Sequence, residues 1–328
     1  MTGRHAPHTQ ARPRARRGSV HVAPHRARTS RQQRAAARRS PRAQGSGPSR
    51  RAPRRIGILA ALLIVGIIIG IIVRSCVAGD GARGGMSSPY TWSHLSWSGD
   101  RLSYTEDGQT VSYLGVDVSD HQGYIDWEAV AADGIDFAMV RLGYRGYTEG
   151  ALNRDAYAAY NLEGAEAAGL KVGAYFFSQA ISVEEAREEA AFVLGLLDGR
   201  SLEMPVAFDH EPIAGVAGRA NDVDSATLAA CAAAFCETLE EAGYATIVYG
   251  NDQDLARFIS TDSTMLGDAS SRARALSDAL GGREVWFAAY GTATPQTSFV
   301  FRMWQYTNAG TVAGIDTSVD LNILLPAA

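Results

Sequence analysis

The feature that most constrains the fold of this 328-residue chain is a series of eight short β-rich runs. Helical stretches separate the early runs, and such alternation predicts a parallel sheet with helices outside it. About 214 residues with eight strand candidates fit one closed barrel better than two domains. The runs are Gly115–Ser119, Phe137–Tyr144, Lys171–Ser178, Met204–Glu211, Thr246–Asn251, Val285–Tyr290, Phe301–Thr307 and Val319–Leu325.

Three clear helical stretches lie among the first five runs, and each ends near a glycine, as helices often do. They cover Asn153–Ala168, Val183–Leu197 and Ala226–Ala242. After the fifth run the helical signal weakens to Asp252–Ile259 and Ser271–Leu280, and the last two strands follow almost directly. We therefore predict an α/β fold, an irregular TIM-like β/α barrel of about five β/α units followed by three strands.

Charge is divided unevenly along the chain. Of the 31 Lys and Arg residues, 16 Arg lie in residues 1–55, which contain no acid, so the rest holds 15 basic residues against 35 acidic ones. The basic segment is rich in Ala, Ser, Pro and Gln without apolar periodicity, so we expect it to be disordered. A basic arm is compatible with nucleic-acid binding. However, no DNA- or RNA-binding module is recognisable, and we expect no nucleic-acid partner.

An uncharged apolar segment follows the basic arm. Ile56–Val73 would form a helix of about 27 Å, close to the roughly 30 Å hydrocarbon core of a bilayer. The excess of Arg before it predicts a cell-membrane anchor with a cytoplasmic N-terminus and an extracellular body. The sequence ending at Ala78 has the small-x-small shape of a cleavage site, so secretion after cleavage near Ala78 is the alternative.

These features divide the chain into four predicted segments. The third is rich in Gly, Ser, Asp, Tyr and Trp and shows no clear periodicity, so it is interpreted as a spacer. The segments are a disordered Arg-rich cytoplasmic tail over 1–55, a transmembrane signal-anchor helix over 56–73, an extracellular linker over 74–112 and a folded domain, which contains the eight β-rich runs, over 113–328.

The fourth β-rich run ends in two carboxylates, Asp209 and Glu211, within the sequence MPVAFDHEP. Alternate side chains of a strand face the same way, so these two project together, with Cα atoms roughly 6.5–7 Å apart. Pro212 cannot donate to a sheet ladder and is expected to end the strand. Like charges this close raise one pKa and leave a protonated acid beside a carboxylate, which is the pairing that glycoside hydrolases use.

Polar and aromatic side chains also accompany the other predicted strands, and in a β/α barrel the functional groups lie at the C-terminal strand ends. Four acids among aromatics would form an acidic groove that suits an uncharged or cationic sugar polymer. The catalytic candidates are Glu211, Asp209, Asp117 and Asp320, and the substrate-binding candidates are Arg141, Tyr144, Tyr175, Phe177, Tyr249, Asn251, Trp286, Tyr290, Gln305 and Asn322.

Six segments, in this order and spacing, resemble the family-25 glycoside hydrolases, the Chalaropsis-type lysozymes or N-acetylmuramidases. The resemblance covers roughly Tyr113 to Leu325, with one departure at His210, where this family often has an aromatic or other apolar residue. The segments are DVSDHQGYIDW (Asp117–Trp127), DFAMVRLGYRGY (Asp136–Tyr147), GLKVGAYFFSQAIS (Gly169–Ser182), PVAFDHE (Pro205–Glu211), VWFAAY and WQYTNAGTVAGIDTSVDLN (Trp304–Asn322).

The resemblance implies an irregular barrel that hydrolyses the β-1,4 bond between N-acetylmuramic acid and N-acetylglucosamine in peptidoglycan. By motif position Glu211 would be the acid/base, Asp209 its carboxylate partner, and Asp117 and Asp320 supporting acids. Asp209 would either attack the anomeric carbon or orient the substrate's 2-acetamido group, which attacks instead. The expected partners are peptidoglycan glycan strands and, through residues 56–73, the membrane.

His210 offers a possible metal ligand between Asp209 and Glu211. Strand alternation turns it away from both carboxylates, toward the helical layer, so we expect a structural histidine and no metal or other cofactor. Cys231 and Cys236 lie on one predicted helix about 7.5 Å apart along its axis, beyond easy disulfide reach. They are expected to be buried apolar side chains.

Three other functions remain open from the sequence. The chain could be a non-catalytic peptidoglycan-binding module, a metal-dependent polysaccharide deacetylase, or a hydrolase of another N-acetylated glycan such as chitin. The intact set of four acids argues against the first, and the absence of a His ligand set argues against the second.

Overall fold

The computed structural model describes residues 88–259 and 268–327. The predicted cytoplasmic tail and anchor, residues 1–73, lie outside the described residues. Within the two described ranges, no helix combines the length and the apolar content that a membrane span requires.

The strands of the described residues form two sheets. A 3₁₀ turn at Trp92–His94 leads into a small antiparallel sheet of β1 (Leu95–Ser98), β2 (Arg101–Glu106) and β3 (Gln109–Thr110). The second sheet closes into a barrel of eight strands because β4 pairs with β5, and β6 adds to β5 at its outer edge. Its strands are β4 (Tyr113–Val118), β5 (Phe137–Arg145), β6 (Leu152–Arg154), β7 (Lys171–Phe177), β8 (Val206–Asp209), β9 (Thr246–Asn251), β10 (Glu284–Ala288), β11 (Met303–Gly310) and β12 (Val319–Leu324).

Helices follow the first five long barrel strands, so the prediction of five β/α units and then three strands is confirmed. Several helices begin at side-chain caps. The carboxylate of Asp126 accepts a hydrogen bond from the backbone N–H of Ala129, and the hydroxyl of Ser182 accepts one from Glu185. The helices are α1 (Trp127–Ala132), α2 (Ala158–Ala167), α3 (Val183–Leu197), α4 (Ser225–Glu241), α5 (Asp252–Ala256) and α6 (Ala269–Ala279).

The last barrel strand differs from the parallel arrangement that the alternation predicted. β12 is antiparallel to both of its neighbours, β11 and β4. No helix lies between β11 and β12, and a parallel neighbour needs a crossover connection of a dozen or more residues. Because β12 runs in the reverse direction, its N-terminal end lies at the mouth of the barrel. Asp320 therefore stands directly beside Asp117 in the register of β12 and β4.

The fourth barrel strand is shorter than predicted. β8 covers Val206–Asp209, so Glu211 lies beyond its end. The last backbone hydrogen bond at this end runs from Ser178 N–H to Asp209 O, at 2.7 Å. Pro212 has no N–H, and its position just after Glu211 agrees with an early strand end.

The barrel interior contains large apolar side chains beside glycines. Phe137 and Met139 of β5 belong to a buried cluster inside the barrel, together with Trp286. A Cβ built on Gly173 would lie 2.6 Å from Met139 Sδ, and a Cβ on Gly115 would overlap the Phe137 ring. Small residues next to large ones are thus required for the barrel to close.

We expect Gly115→Ala to destabilise the protein by about 1–3 kcal/mol, because the buried Phe137 ring has no space to move into. Gly195→Ala is the matched control. Gly195 lies on the exposed side of α3 with no atom within 4 Å of an added Cβ, so the Gly195→Ala substitution should stabilise the protein by about 0.5–1 kcal/mol. Urea unfolding of the purified full chain measures both changes, and equal stability of the two variants would contradict this packing.

The prediction of a linker over 74–112 is wrong for residues 92–110, which form the 3₁₀ turn and the small sheet. Leu102 and Tyr104 of β2 are buried in the main core. The side chain of Trp97 packs edge-on against Tyr306 of β11, with ring centroids 5.5 Å apart. Because β10, β11 and β12 have no helices between them, this sheet covers barrel surface that would otherwise be open.

Candidate active site

The four predicted acids meet at the mouth of the barrel. Asp117 and Asp320 are paired in register on β4 and β12, and Asp209 ends β8. Burial raises the pKa of Asp209, Glu211 and Asp320, and repulsion from the charge of Asp117 raises each of them further, so all four carboxyl groups share one electrostatic environment. The structure brings these residues together, and their individual roles stay predictions.

Asp117 is held by two amide side chains. Gln305 Nε2 and Asn322 Nδ2 each donate a hydrogen bond of 2.8 Å to the same oxygen, Asp117 Oδ2. Trp286 Nε1 donates to Asn322 Oδ1 at 2.8 Å, which fixes the orientation of that amide. Burial raises the pKa of Asp117 to about 6, although both amide hydrogen bonds lower it.

Two tyrosines support the same network. The hydroxyl groups of Tyr249 and Tyr290 both donate to Gln305 Oε1, at 2.8 and 2.6 Å. This leaves the Gln305 amide nitrogen facing Asp117. Burial raises the pKa of both tyrosines, so the hydroxyl groups stay protonated and remain donors at neutral pH.

Asp209 and Glu211 form a carboxyl pair. The two residues lie close enough for each to shift the pKa of the other. Burial is the main cause that raises the pKa of both groups, that of Glu211 to about 7, and their mutual repulsion adds to the effect on Asp209. The pair therefore holds a proton near neutral pH. Glu211 is the more exposed member and is the one that can present the proton to a ligand.

Asp320 has a similar environment. Burial and the neighbouring charges of Asp117 and Glu211 raise the pKa of Asp320 to about 8. Asp320 is half-buried, so its carboxyl group can face the mouth of the barrel.

Five of the aromatic candidates line this end of the barrel. Tyr144, Tyr175, Phe177 and Tyr290 are half-buried, whereas only 8% of Tyr249 is exposed. Burial, together with the nearby charges of three of the acids, raises the pKa of Tyr175 well above the usual value. Stacking of these rings on a sugar stays a prediction.

Three substrate-binding candidates, Trp286, Gln305 and Asn322, are only 1%, 3% and 0% exposed, and the structure gives them a different role. Gln305 and Asn322 donate to Asp117, and Trp286 donates to Asn322. Two others have protein partners. Arg141 forms ion pairs with Asp120 and Asp155, and Asn251 caps α5. These five residues were predicted from their place near strand ends, which does not reveal what they contact.

His210 has the structural role that the sequence predicted. It stacks on Phe208, with ring centroids 5.9 Å apart, on the side away from the two carboxyls. Burial lowers its pKa to about 4, so it is neutral at pH 7. In the described parts of the chain, no group of three or more His, Cys, Asp or Glu residues is arranged to hold a metal ion. Cys231 and Cys236 are buried free cysteines, as expected.

Two residues of the site were missed from the sequence. Asp254, in the first turn of α5, is 4% exposed, and its charge raises the pKa of Glu211 and Asp209. Gln179, after β7, donates a hydrogen bond to the backbone of Glu211. Asp254 looks like an ordinary acid at a helix start, and Gln179 lies outside every predicted strand, so neither carried a local signal.

Comparison with known proteins gives a matching family. Residues 116–315 match the sequence profile described as glycosyl hydrolases family 25, which is more than half of the chain. A relative is the autolytic lysozyme of Clostridium acetobutylicum, which is 26% identical over 208 residues. The match includes 63% of this chain and 54% of that protein.

Solved structures show the same fold. The modular autolysin LytC of Streptococcus pneumoniae, in complex with a synthetic peptidoglycan ligand, is 22% identical with a TM-score of 0.52, covering 70% of this chain and 52% of that one. The bacterial lysozyme of Streptomyces coelicolor is also 22% identical with a TM-score of 0.52, covering 66% and 93%. This chain spans about half the length of the Clostridium and Streptococcus relatives.

Proposed function

Because this chain belongs to glycosyl hydrolases family 25, we propose that it cleaves the β-1,4 bond between N-acetylmuramic acid and N-acetylglucosamine in peptidoglycan. The observation that carries the proposal is the meeting of Asp117, Asp209, Glu211 and Asp320 at one end of the barrel, with their pKa values raised. Carboxyl groups that hold protons near neutral pH are what acid-catalysed glycoside hydrolysis needs.

The relatives support the same substrate class. One carries the name autolytic lysozyme, and another was solved with a synthetic peptidoglycan ligand. Aromatic side chains beside the acids fit a carbohydrate, since sugars stack on aromatic rings while their hydroxyl groups bond to carboxylates.

In the proposed reaction, Glu211 donates its proton to the glycosidic oxygen as positive charge develops on the sugar ring. Asp117 and Asp209 supply the negative charge that stabilises this transition state, because the pKa of Asp117 is about 6 and Asp209 is ionised while Glu211 holds the proton of the pair. After departure of the leaving group, Glu211 takes a proton from the attacking water and returns to its initial state.

In the proposed mechanism, Asp209 does not itself attack the anomeric carbon. In retaining enzymes with a protein nucleophile, the two carboxyl groups flank the bond at about 5–5.5 Å. Asp209 ends β8, Glu211 follows two residues later, and each shifts the pKa of the other, so the two carboxyls would face a bound glycan from one side. We propose that Asp209 orients the 2-acetamido group of the substrate, whose oxygen attacks the anomeric carbon as the glycosidic bond breaks. Water then attacks the same carbon and releases the acetamido oxygen.

Digestion of purified peptidoglycan tests the function. Borohydride reduction of the products followed by mass analysis should give reduced N-acetylmuramic acid ends, because the proposed bond leaves that sugar at the reducing end. Reduced N-acetylglucosamine ends would contradict the bond assignment.

Parallel assays separate the alternatives. Release of fragments from chitin alone would favour another N-acetylated glycan, and binding without fragments would favour a non-catalytic module. Dialysis against EDTA should leave activity unchanged, since no ligand cluster is present in the described residues. Loss of activity that added Zn²⁺ restores would favour the deacetylase.

We also propose that Ile56–Val73 anchors the protein in the cell membrane with the barrel outside. The full chain should then fractionate with membranes at full mass, and protease added to spheroplasts should digest the barrel and spare the Arg-rich tail. The reason is that 16 Arg without an acid would have to cross the hydrocarbon core in the opposite orientation. Soluble protein beginning near Gly79 would show cleavage after Ala78 instead.

A further inference from the structure

The backbone of Glu211 is not held by the barrel sheet. β8 ends at Asp209, and the ladder bond from Ser178 N–H to Asp209 O is the last one on this side. A proton donor must keep its position to within about an ångström, because a misplacement of that size can cost about 10²-fold in rate. Glu211 therefore needs a support from outside the ladder.

Gln179 supplies that support. Its side-chain nitrogen, Nε2, donates one hydrogen bond to Glu211 O at 2.8 Å and another to Ser178 O at 3.0 Å. Only the NH₂ end of the amide can donate to two carbonyl groups, so these contacts set the orientation of the side chain. Gln179 is fully buried, and it joins the end of β7 to the segment that follows β8.

The remaining atom of this amide argues against a purely stabilising role. Within the described residues, Gln179 Oε1 is buried without a hydrogen-bond donor. A buried unpaired polar atom costs about 1–3 kcal/mol. An apolar side chain of the same length would avoid that cost but would give up both donors.

The main chain of Gln179 is itself anchored. Arg219 Nη1 donates to Gln179 O at 3.1 Å, and the same guanidinium binds both carboxylate oxygens of Glu185 on α3, at 2.8 and 2.6 Å. Gln179 thus connects Glu211 to a helix of the outer layer, which makes it a rigid support.

We propose that Gln179 is a positioning residue that fixes Glu211 for proton donation. The inference rests on the proposed function for the role of Glu211. Gln179 does not touch the substrate, because it is completely buried. Loss of the Gln179 side chain would leave in place the ionisable groups that interact electrostatically with Glu211. These groups are Asp209 from β8, Asp117 from β4, Asp254 from α5, Asp320 from β12, Tyr249 from β9 and Tyr290 after β10.

The test compares Gln179→Met with the wild-type full chain. Met has similar length without donors, so kcat should fall about 10- to 100-fold while KM is unchanged. Release of Glu211 toward solvent should lower its pKa and move the alkaline fall of kcat/KM to lower pH. Gln109→Met is the matched control, because Gln109 is exposed on β3, outside the barrel. This substitution should leave kcat, KM and the pH dependence of kcat/KM unchanged.

A carboxyl titration by NMR makes the test independent of activity. In ¹³C-labelled protein, the Glu211 signal is assigned by its absence in Glu211→Gln, and its pKa should be lower in Gln179→Met than in the wild type. If Gln179→Met does not fold, Gln179→Leu is a second uncharged variant without a donor and should show the same changes. An unchanged Glu211 pKa in a folded variant would overturn the inference even if the wild type hydrolyses peptidoglycan. A wild type without hydrolysis would overturn the proposed function, and the titration would still decide the positioning.

Discussion

Replacing Glu211 with Gln is expected to reduce peptidoglycan hydrolysis by about 10²–10⁴-fold or more and to leave the fold intact. The amide has the shape of the acid and can still donate a hydrogen bond to Asp209, but it has no proton to give to the glycosidic oxygen. Glu211 is half-buried just after β8, so little packing changes. Release of soluble fragments from purified walls measures the rate.

The control for this substitution is Glu237→Gln. Glu237 is exposed on α4, in the helical layer, and should retain full activity and stability. Near-normal turnover by a folded Glu211→Gln protein would remove Glu211 from the acid role and leave Asp209 or Asp320 as the donor.

Removal of residues 1–112 is expected to abolish cooperative folding, whereas removal of residues 1–87 should not. The shorter product would lack the small sheet and the segment before it, including the buried residues Tyr90, Leu102 and Tyr104. It would expose the aromatic outer surface of the barrel. Loss of the burial of each large apolar side chain costs about 1.5–3 kcal/mol of folding free energy, and a domain has only about 5–15 kcal/mol of total stability.

Specific contacts support this expectation. The Tyr90 hydroxyl donates to Phe301 O at 3.0 Å, and the Tyr306 hydroxyl donates to Asp100 O at 3.0 Å. Trp92 stacks on Phe301 with ring centroids 6.1 Å apart. Thermal unfolding followed by near-ultraviolet circular dichroism compares residues 88–328 with residues 113–328. Equal melting temperatures would show that the small sheet is dispensable.

The small sheet could have been recognised from the sequence. Asp107 and Gly108 both have positive φ, and they connect β2 to β3 as a two-residue turn. Asp-Gly is a strong hairpin signal, and Leu102 and Tyr104 alternate with more exposed residues. The composition of the segment, rich in Gly and Ser, obscured this pattern.

Local patterns were sufficient for most of the barrel. The bounds of α3 and β9 equal the predicted ones, because strand and helix periodicity depend on residues close in sequence. The same local rule placed Asp209 and Glu211 together, and it turned His210 toward the helical layer. It could not predict that the strand ends before Glu211, since that depends on where the neighbouring strands stop pairing.

The sequence by itself determined the order of strands and helices, the family and the acids that meet at the barrel mouth, because each depends on residue types and on spacings between residues close in sequence. Only the tertiary structure decided the direction of β12, the packing of the small sheet over β11 and the partners of Asp117. Asp117 meets Gln305 and Asn322, which are 188 and 205 residues away along the chain. Contacts over such separations depend on how the barrel closes, and barrel closure is a property of all its strands together rather than of any one segment.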